Sequence, residues 1–274
     1  MISAALLAAA VAFTPDPQPN LQLIWSDEFD GTALDGQRWT AAEDCWGGGN
    51  NERQCYTESS RNVWVADGLL HLIAREEAVS GAAYPTGSAA PEEVVTRPYS
   101  SARIQTRGKA SFLFGRIEAR ARLPKGQGLW PAIWMLPEHD NYGPYPQSGE
   151  IDIAEAVNLG VTCGGCVDRL HGAVHHGGSP STNRTYAASS PLVDPDAFHV
   201  FALEWTRTSM TWFLDGEPYF TRPTGPPFDQ RFHLIINLAV GGLWPESAGL
   251  GGVDGAALPA ALMVDWVRVY SRSP

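Results

Sequence analysis

Three acidic residues occur within six positions of the segment 149–156. Glu150 and Asp152 alternate with isoleucines, which is the pattern of a β-strand with one apolar face. Simple alternation would direct Glu155 into the apolar layer, where an unpaired carboxylate costs several kcal/mol. A β-bulge returns the last side chain to the face of the first two. We therefore predict a bulge between Asp152 and Glu155.

Two neighbouring carboxyl groups can share acid–base and nucleophilic chemistry. Retaining glycosidases hold two carboxyls about 5–5.5 Å apart, one ionised as nucleophile and one protonated as acid. Repulsion between the two groups separates their pKa values, and Asp152 between the glutamates can orient Glu150. The alternative is a solvated strand face, although three like charges on an otherwise apolar strand repel one another.

The rest of the chain has the pattern of short strands joined by turns. The 28 Gly and 21 Pro are dispersed between apolar runs. Asp215–Gly216 predicts a hairpin and Asp67–Gly68 a second turn. No segment after residue 13 keeps a helical period over three turns. The sequence predicts an antiparallel all-β protein, a two-sheet jelly roll or sandwich. The clearest strand-length segments are 69–74, 116–123 and 263–270.

Composition restricts the partners of the protein. The chain has 274 residues, 44% hydrophobic and 18% charged, as expected for a globular protein with a sizeable core. Its net charge of −11 argues against nucleic acid or an anionic membrane surface as a partner. The 10 Trp can stack on the flat C–H faces of neutral sugars, or pack in the core. We expect a monomer.

The first residues resemble an export signal. Residues 2–13 form an apolar run that is too short to span a bilayer, although no Lys or Arg precedes it. We predict a leader over residues 1–13, a linker over 14–20 and a single domain over 21–274. This organisation predicts a secreted protein.

Four cysteines form two local pairs in Gly-rich segments. Cys45 with Cys55, and Cys163 with Cys166, suit two disulfides in an exported protein. The alternative, a metal site, needs two neighbouring Cys-x-x-Cys units, and only the second pair has that spacing.

Several blocks of the chain, read in order, match one family. They are Leu23–Phe29, Asn50–Glu52, Tyr99–Arg103, Gly128–Pro137, the Glu-x-Asp-x-x-Glu motif at 150–155, and Asn237–Gly242. The chain resembles glycoside hydrolase family 16, in its laminarinase-like branch, which has one residue more before the last Glu than other branches. The resemblance implies a jelly roll with a cleft across its concave sheet, and endo-hydrolysis of β-1,3-glucan with retained configuration. It makes Glu150 the nucleophile, Glu155 the acid/base and Asp152 an assisting residue.

The resemblance also suggests residues that bind sugar. Trp130 and Trp134 lie four apart and share a face of a straight strand, although one of them could pack in the core. His171 matches a cleft histidine of the family. His171, His175 and His176 lack a carboxylate partner of the zinc-protease type, so we do not predict a zinc site. The expected sugar-binding residues are Asn50, Arg103, Trp130, Trp134, His171, Asn237 and Trp244.

Members of the family often carry a structural Ca²⁺ far from the cleft, and we expect that catalysis by this protein needs no cofactor. The corresponding ligands are the side chain of Asp265 and backbone oxygens of Glu28 and Gly68. An outward-facing strand aspartate is the simpler explanation of Asp265.

Two alternatives remain open. One is a neighbouring specificity, for mixed-linkage β-1,3-1,4-glucan or for a galactan. The other is a β-glucan-recognition protein without activity, although such proteins typically lack the catalytic carboxylates and this chain retains all three.

Overall fold

The computed structural model of the protein describes residues 21–89, 92–177 and 184–272. The leader predicted over 1–13 and the linker over 14–20 lie outside these ranges, and both stay predictions. Among the described residues, no helix is long and apolar enough to cross a membrane.

The described chain is built almost entirely of β-strands. The strands are β1 (Leu21–Asp27), β2 (Thr40–Ala41), β3 (Gln54–Tyr56), β4 (Val63–Ala66), β5 (Leu69–Ala82), β6 (Val94–Ser101), β7 (Arg103–Gln105), β8 (Gly115–Arg122), β9 (Leu129–Pro137), β10 (Glu150–Glu155), β11 (Arg169–His176), β12 (Arg184–Leu192), β13 (His199–Trp205), β14 (Ser209–Leu214), β15 (Glu217–Pro223), β16 (Phe232–Val240) and β17 (Ala260–Arg272). A short helix, α1, spans Leu243–Ala248, and a 3-10 turn spans Gly255–Ala257.

The strands form two sheets. The seven-stranded sheet has the order β12-β11-β10-β9-β16-β7-β2. The ten-stranded sheet has the order β15-β14-β13-β8-β17-β5-β6-β3, with β1 paired to β17 and β4 to β5. The pairing of β3 with β6 is parallel, and the other pairings between the described strands are antiparallel. The predicted all-β, two-sheet antiparallel jelly-roll sandwich is therefore confirmed.

The predicted turns are present at both Asp-Gly pairs. Asp215 and Gly216 have φ values of 52° and 86°, and they join β14 to β15. Asp67 and Gly68 have φ values of 55° and 73°, and they join β4 to β5. Two consecutive residues at positive φ define the tight hairpin turn that Asp-Gly sequences favour.

The apolar core lies between the two sheets. Every residue of β16 is buried, and large side chains such as Trp205, Trp212 and Phe232 are fully enclosed. On β10, Ile151 and Ile153 are 0% and 1% exposed and join the same core. Burial of these faces stabilises the fold and leaves the opposite face of the seven-stranded sheet for polar side chains.

Candidate active site

The predicted bulge is present in β10. The register against β11 shifts between Asp152 and Glu155, and the register against β9 shifts between Asp152 and Ala154. Ala154 is 2% exposed and lies in the core with Ile151 and Ile153. The extra residue therefore changes the alternation, and Glu155 is not in the apolar layer.

Hydrogen bonds and close contacts place the three carboxylates on one face of the seven-stranded sheet. Trp130 Nε1 donates a hydrogen bond to Glu155 Oε1 at 3.0 Å. His175 Nε2 lies 3.1 Å from Asp152 Oδ2 and 3.9 Å from Glu150 Oε1. The side chain of Asp152 is 2% exposed and that of Glu150 is 17% exposed. Asp152 therefore lies beneath the surface and Glu150 reaches it.

A residue of the other sheet contacts the bulge from below. Trp212, on β14, is fully buried, and its Nε1 donates a hydrogen bond to the carbonyl oxygen of Asp152 at 2.7 Å. A bulge locally disrupts the ladder of backbone hydrogen bonds, and a buried carbonyl needs a donor. The indole supplies that donor across the core.

Burial raises the pKa of all three carboxyls, because a charged group loses its hydration there. Burial and then the Asp152 charge raise the pKa of Glu150 well above its ordinary value, and His175 and Arg103 oppose the rise. Burial raises the pKa of Asp152 to about 8. Burial and the Asp152 charge also raise the pKa of Glu155, against the hydrogen bond from Trp130. Perturbed carboxyls in contact with each other are typical of acid–base sites.

Three of the predicted sugar-binding residues contact one another beside the carboxylates. Trp134 Nε1 donates to Asn237 Oδ1 at 2.6 Å, and Asn237 Nδ2 donates to the Tyr56 hydroxyl at 3.1 Å. The Arg103 guanidinium lies 5.0 Å from the centre of the Trp134 ring. Arg103 Nε is buried and has no hydrogen-bond partner in the described part of the chain.

The other predicted sugar-binding residues line the Glu155 end of β10. The Trp244 ring lies 5.3 Å from Trp130 and 5.0 Å from His171, edge to face in both pairs. The carbonyl oxygen of Asn50 accepts a hydrogen bond from Leu243 N at 2.8 Å, next to Trp244. The structure thus brings the seven candidates together around the carboxylates, while their binding to sugar stays a prediction.

No role was predicted for His175 from the sequence, and the structure places it beside two carboxylates. The sequence argument considered only a carboxylate partner of the zinc-protease type, whereas Glu150 pairs with His175 across the neighbouring strand; the absence of a zinc site stays a prediction. Single donor atoms of Glu150, Asp152 and His175 lie within 4.8 Å of one another, which is close enough to hold a metal ion. Catalysis without a cofactor therefore stays a prediction. Predicting the contact between His175 and the carboxylates would have required the register of β10 against β11, which the sequence alone does not give.

Two buried polar residues beside the site were also missed. Glu52 is 6% exposed, and its Oε2 accepts hydrogen bonds from Gln54 Nε2 at 2.7 Å and the Tyr56 hydroxyl at 3.3 Å. Burial and the negative charge of Glu52 raise the pKa of Tyr56 well above its ordinary value. The available signal was the alternation of polar residues at 52, 54 and 56.

The predicted calcium ligands lie at neighbouring positions of the ten-stranded sheet. β1 pairs Asp27 with Val267, and β5 pairs Leu70 with Val264, so that Glu28 and Gly68 approach Asp265 from two strands. The Asp265 carboxylate contacts the Arg120 guanidinium, and the Glu28 side chain binds Arg268 at 2.7 Å. Backbone oxygens at 28 and 68 with one carboxylate suit Ca²⁺, but Arg120 competes for that carboxylate.

Both predicted disulfides are present. Cys45 is bonded to Cys55, and Cys163 to Cys166. The first disulfide closes the loop that carries Asn50, so it fixes a segment beside the site.

Comparison with known proteins agrees with this geometry. A family model described as glycosyl hydrolases family 16 matches residues 45–268. The chain is 43% identical to a β-glucanase from Rhodothermus marinus, over 93% of this chain and 87% of that protein. It is 38% identical to a glucan endo-1,3-β-glucosidase from Cryptopygus antarcticus, over 80% of each. The X-ray structure of the laminarinase from Rhodothermus marinus has a TM-score of 0.77 and 41% identity, covering 94% of this chain and 100% of that one. The chain belongs to glycosyl hydrolases family 16 and is a glycoside hydrolase.

Proposed function

We propose that the protein is an endo-acting hydrolase of internal β-1,3-glucosidic bonds in laminarin-type β-glucans, working by double displacement with retained configuration. The observation that carries the proposal is the bulged strand β10, which presents Glu150 and Glu155 on one face with Asp152 between them. The activities of the relatives, a β-glucanase, a glucan endo-1,3-β-glucosidase and a laminarinase, support the choice of substrate.

The surrounding charges favour one division of roles between the two glutamates. Burial raises the pKa of both glutamates, and His175 opposes the rise at both, but the positive charge of Arg103 opposes it at Glu150, which favours the ionised form of Glu150 as the nucleophile. Glu52 adds to the negative charge that raises the pKa of Glu155, which favours its protonated form as the acid. Glu150 attacks the anomeric carbon while Glu155 protonates the departing oxygen. Glu155 then removes a proton from water, which releases the sugar from Glu150.

Asp152 and His175 assist without touching the sugar in this scheme. Asp152 is almost fully buried, so it acts on Glu150 and Glu155 through its charge and proton. His175 Nε2 lies 3.1 Å from its carboxyl, close enough to act on it through charge when the imidazole is protonated. Loss of either residue is expected to change the pH profile more than the KM.

The aromatic and amide residues beside the carboxylates suit a neutral sugar chain. The indole rings of Trp130, Trp134 and Trp244 offer faces and edges to C–H groups, and Asn237 and Arg103 offer hydrogen bonds to hydroxyls. These residues lie on α1 and on β9, β16 and β7, which follow one another on one side of β10, and His171 lies on β11, on its other side. A surface that extends to both sides of β10 suits a chain that continues on both sides of the scissile bond, as internal cleavage requires.

The test is hydrolysis of laminarin by the wild-type protein and by Glu150→Gln. We expect the variant to lose at least about 10⁴-fold in kcat and to keep binding laminarin. Glu217→Gln, at an exposed hairpin position, is the control and should keep full activity. Laminarin hydrolysis that survives Glu150→Gln at the wild-type rate would refute the nucleophile assignment. The configuration of the first product, followed by NMR, tests retention.

Substrate specificity needs its own comparison. Laminarin, barley mixed-linkage glucan, agarose and carrageenan should be tested side by side with the same preparation. The proposal requires that laminarin is turned over with the highest kcat/KM. Equal or better turnover of a galactan would overturn the substrate assignment, and binding of laminarin without any cleavage would favour the recognition-protein alternative.

We also propose a structural Ca²⁺ bound by the Asp265 carboxylate and the backbone oxygens of Glu28 and Gly68. Binding would require the Asp265 carboxylate to share or leave its contact with Arg120. Thermal unfolding with Ca²⁺ and with EDTA tests the site. Ca²⁺ should raise the Tm of the wild-type protein and not that of Asp265→Asn, and an equal Tm in Ca²⁺ and EDTA would exclude the site.

Export from the cell is the last part of the proposal. It is supported by the two disulfides, because disulfides persist mainly in oxidising compartments. Fractionation of cells that express the full chain, with N-terminal sequencing of the mature protein, tests it. A protein retained in the reducing cytoplasm with an intact N-terminus would contradict export.

A further inference from the structure

A buried carboxylate lies close to the cleft without a basic partner. Glu52 is 6% exposed and belongs to the loop that the disulfide between Cys45 and Cys55 closes. Among the described residues, no Lys or Arg forms an ion pair with it, and the neighbouring Arg53 pairs with Glu246 instead. Burial of a carboxylate without a cation costs free energy, so folding alone gives no reason for a glutamate at this position.

The hydrogen bonds to the Glu52 carboxylate come from side-chain donors. Its Oε2 accepts from Gln54 Nε2 at 2.7 Å and from the Tyr56 hydroxyl at 3.3 Å, and its Oε1 lies 3.5 Å from Asn50 Nδ2. The backbone encloses the group as well, because a side chain at Gly48 would collide with the carboxylate. The carboxylate is therefore held in one place, where its neighbours need an acceptor.

A chain of hydrogen bonds runs from this carboxylate into the cleft. Asn237 Nδ2 donates to the Tyr56 hydroxyl at 3.1 Å, and Trp134 Nε1 donates to Asn237 Oδ1 at 2.6 Å. Tyr56 is 5% exposed and Asn237 is 6% exposed, so water has little access to replace either bond. The chain joins β3 to β16 and then to β9, three strands that are distant from one another in the sequence.

The donors and acceptors give the chain a single direction. An indole N–H can only donate, so the atom of Asn237 that faces Trp134 is its amide oxygen. The amide nitrogen then faces Tyr56, whose hydroxyl oxygen accepts from it. The one proton of the Tyr56 hydroxyl is left for Glu52, and an ionised carboxylate can only accept. The acceptor at position 52 therefore decides the direction of every bond in the chain.

The Trp134 end of the chain lies next to the reacting groups. Trp134 is paired with Asp152 across the ladder of β9 and β10, and the Arg103 guanidinium lies 5.0 Å from the centre of its ring. If the Asn237 amide were reversed, its nitrogen would face the indole N–H, and two donors cannot bond to each other. The hydrogen bond that fixes the Trp134 ring would then be lost.

We infer that Glu52 is a positioning residue, which acts through Tyr56 and Asn237 to hold the Trp134 indole in the orientation that meets the substrate. The inference rests on the proposed function, because it takes Trp134 and Asn237 as sugar-binding residues. Glu52 is covered by its partners and does not touch the sugar. This role is distinct from the effect of its charge on Glu155, because it needs the acceptor atom and not the charge.

The test separates the acceptor at position 52 from its charge, with each change added to Glu150→Gln protein. Glu52→Met removes both, Glu52→Gln keeps an oxygen for the Tyr56 hydroxyl without the charge, and Tyr56→Phe breaks the chain and keeps the charge. The Kd of a laminari-oligosaccharide is measured by calorimetry. We expect Glu52→Met and Tyr56→Phe each to raise it about tenfold, because a buried donor loses its acceptor.

Two further affinities show whether the residues act as one chain. Glu52→Met and Tyr56→Phe together should raise the Kd no more than either change alone, since both break the same chain. Glu52→Gln should keep the Kd within about twofold of the Glu150→Gln value. Effects that multiply in the combined variant would show that the two residues act independently and would refute the inference.

A spectroscopic measurement reports the orienting hydrogen bond without any substrate. The indole N–H signal of Trp134 is identified in a proton–nitrogen NMR spectrum by its absence from Trp134→Phe. It should move upfield in Glu52→Met and in Tyr56→Phe, because its hydrogen bond weakens there, and it should keep its position in Glu52→Gln. A merely structural role of Glu52 would lower the Tm without this pattern.

Tyr84→Phe is the matched control. The Tyr84 hydroxyl donates to Glu93 Oε2 at 3.2 Å, in an exposed tyrosine–carboxylate bond outside the chain. Its loss should leave both the Kd and the Trp134 signal unchanged.

The outcomes separate this inference from the proposed function. The inference is refuted if Glu52→Met keeps the Kd and the Trp134 signal, or if Glu52→Gln loses as much affinity as Glu52→Met. If Glu52→Met does not fold, Tyr56→Phe decides by the same two measurements. If Glu150→Gln binds no β-glucan, the proposed substrate is wrong, and the Trp134 signal still tests the chain.

Discussion

Strands β8 and β10 alternate charged and aliphatic residues in the same way, but their charged side chains have different partners. On β8, Arg116 contacts both Glu118 and Glu204, and the Arg116 and Glu118 side chains are each 9% exposed. On β10, none of the three acids pairs with a Lys or Arg among the described residues, and the nearest basic group is His175.

The difference separates a structural role from a chemical one. A buried acid that faces an arginine is compensated, and the pair belongs to the architecture of the ten-stranded sheet. A buried acid that faces other acids is not compensated, and burial raises its pKa instead. The comparison predicts that changes on β10 remove activity at little cost in stability, while changes on β8 do the reverse.

After Glu150→Gln, the largest loss of activity on β10 is expected from Glu155→Gln. Removal of the proton donor should lower kcat on laminarin by about 10²–10⁴-fold, with the Tm equal to the wild-type value or higher because a buried uncompensated acid is lost. An aryl glycoside with an acidic leaving group needs no proton and should lose far less. An equal loss on both substrates would show that Glu155 is not the proton donor.

On β8, Arg116→Met should affect stability instead. It removes the guanidinium that compensates the buried Glu118 carboxylate, which costs about 3 kcal/mol in the free energy of unfolding, measured by urea denaturation. The kcat/KM on laminarin should stay within about twofold of wild type, since β8 lies in the other sheet. Replacing Glu118 by Leu in the same protein should recover part of the stability. A large loss of kcat with normal stability would break the comparison.

The alternation of charged and aliphatic residues on β8 and β10 can be recognised in the sequence. The residues that their charged side chains contact cannot. The bulge at Ala154 could be predicted because the cost of burying Glu155 leaves few alternatives. The two-sheet fold followed from alternation and from the Asp-Gly turns. The cross-strand partner His175 could not be predicted, because periodicity gives the face of a strand and not its register.

Long-range contacts were equally hidden. The hydrogen bond from Trp212 to Asp152 joins residues 60 positions apart. It connects two sheets, and the alternation of polar and apolar residues within a strand does not predict how two sheets pack on each other. The helix α1, with six residues, is too short to show a helical period, so the segment that carries Trp244 was not predicted to be helical.

Trp212→Phe tests whether a residue of the ten-stranded sheet also affects activity. Trp212 belongs to the ten-stranded sheet, yet it donates to the carbonyl of the bulge. The variant leaves that carbonyl without a donor and should cost about 1–3 kcal/mol in stability. If the hydrogen bond sets the bulge, kcat should also fall, by about tenfold.

Trp205→Phe is the matched control for this effect. Trp205 is equally buried in the same sheet, and its Nε1 donates to Phe228 O at 3.1 Å, so it makes no hydrogen bond to the bulge of β10. It should cost similar stability and leave kcat unchanged. If both variants lower kcat equally, the effect is general loosening of the core and Trp212 does not position the bulge.

The smallest expected effect is that of Asp152→Asn on the pH dependence of stability. It tests whether the Asp152 carboxyl, unlike the paired acids of β8, is uncompensated. Burial raises the pKa of Asp152 to about 8, whereas an unfolded aspartate has a pKa of about 3.9. The folded protein therefore keeps a proton that the unfolded chain releases, so this group makes stability fall as pH rises from about 4 to about 8. Asp152→Asn removes the titration and should flatten that part of the Tm profile by a few degrees. Asp67→Asn, in a turn where Asn tolerates the positive φ, should keep the wild-type slope. An unchanged slope in Asp152→Asn would mean that Asp152 is ionised at neutral pH and that His175 compensates its charge, which would make β10 resemble β8 after all.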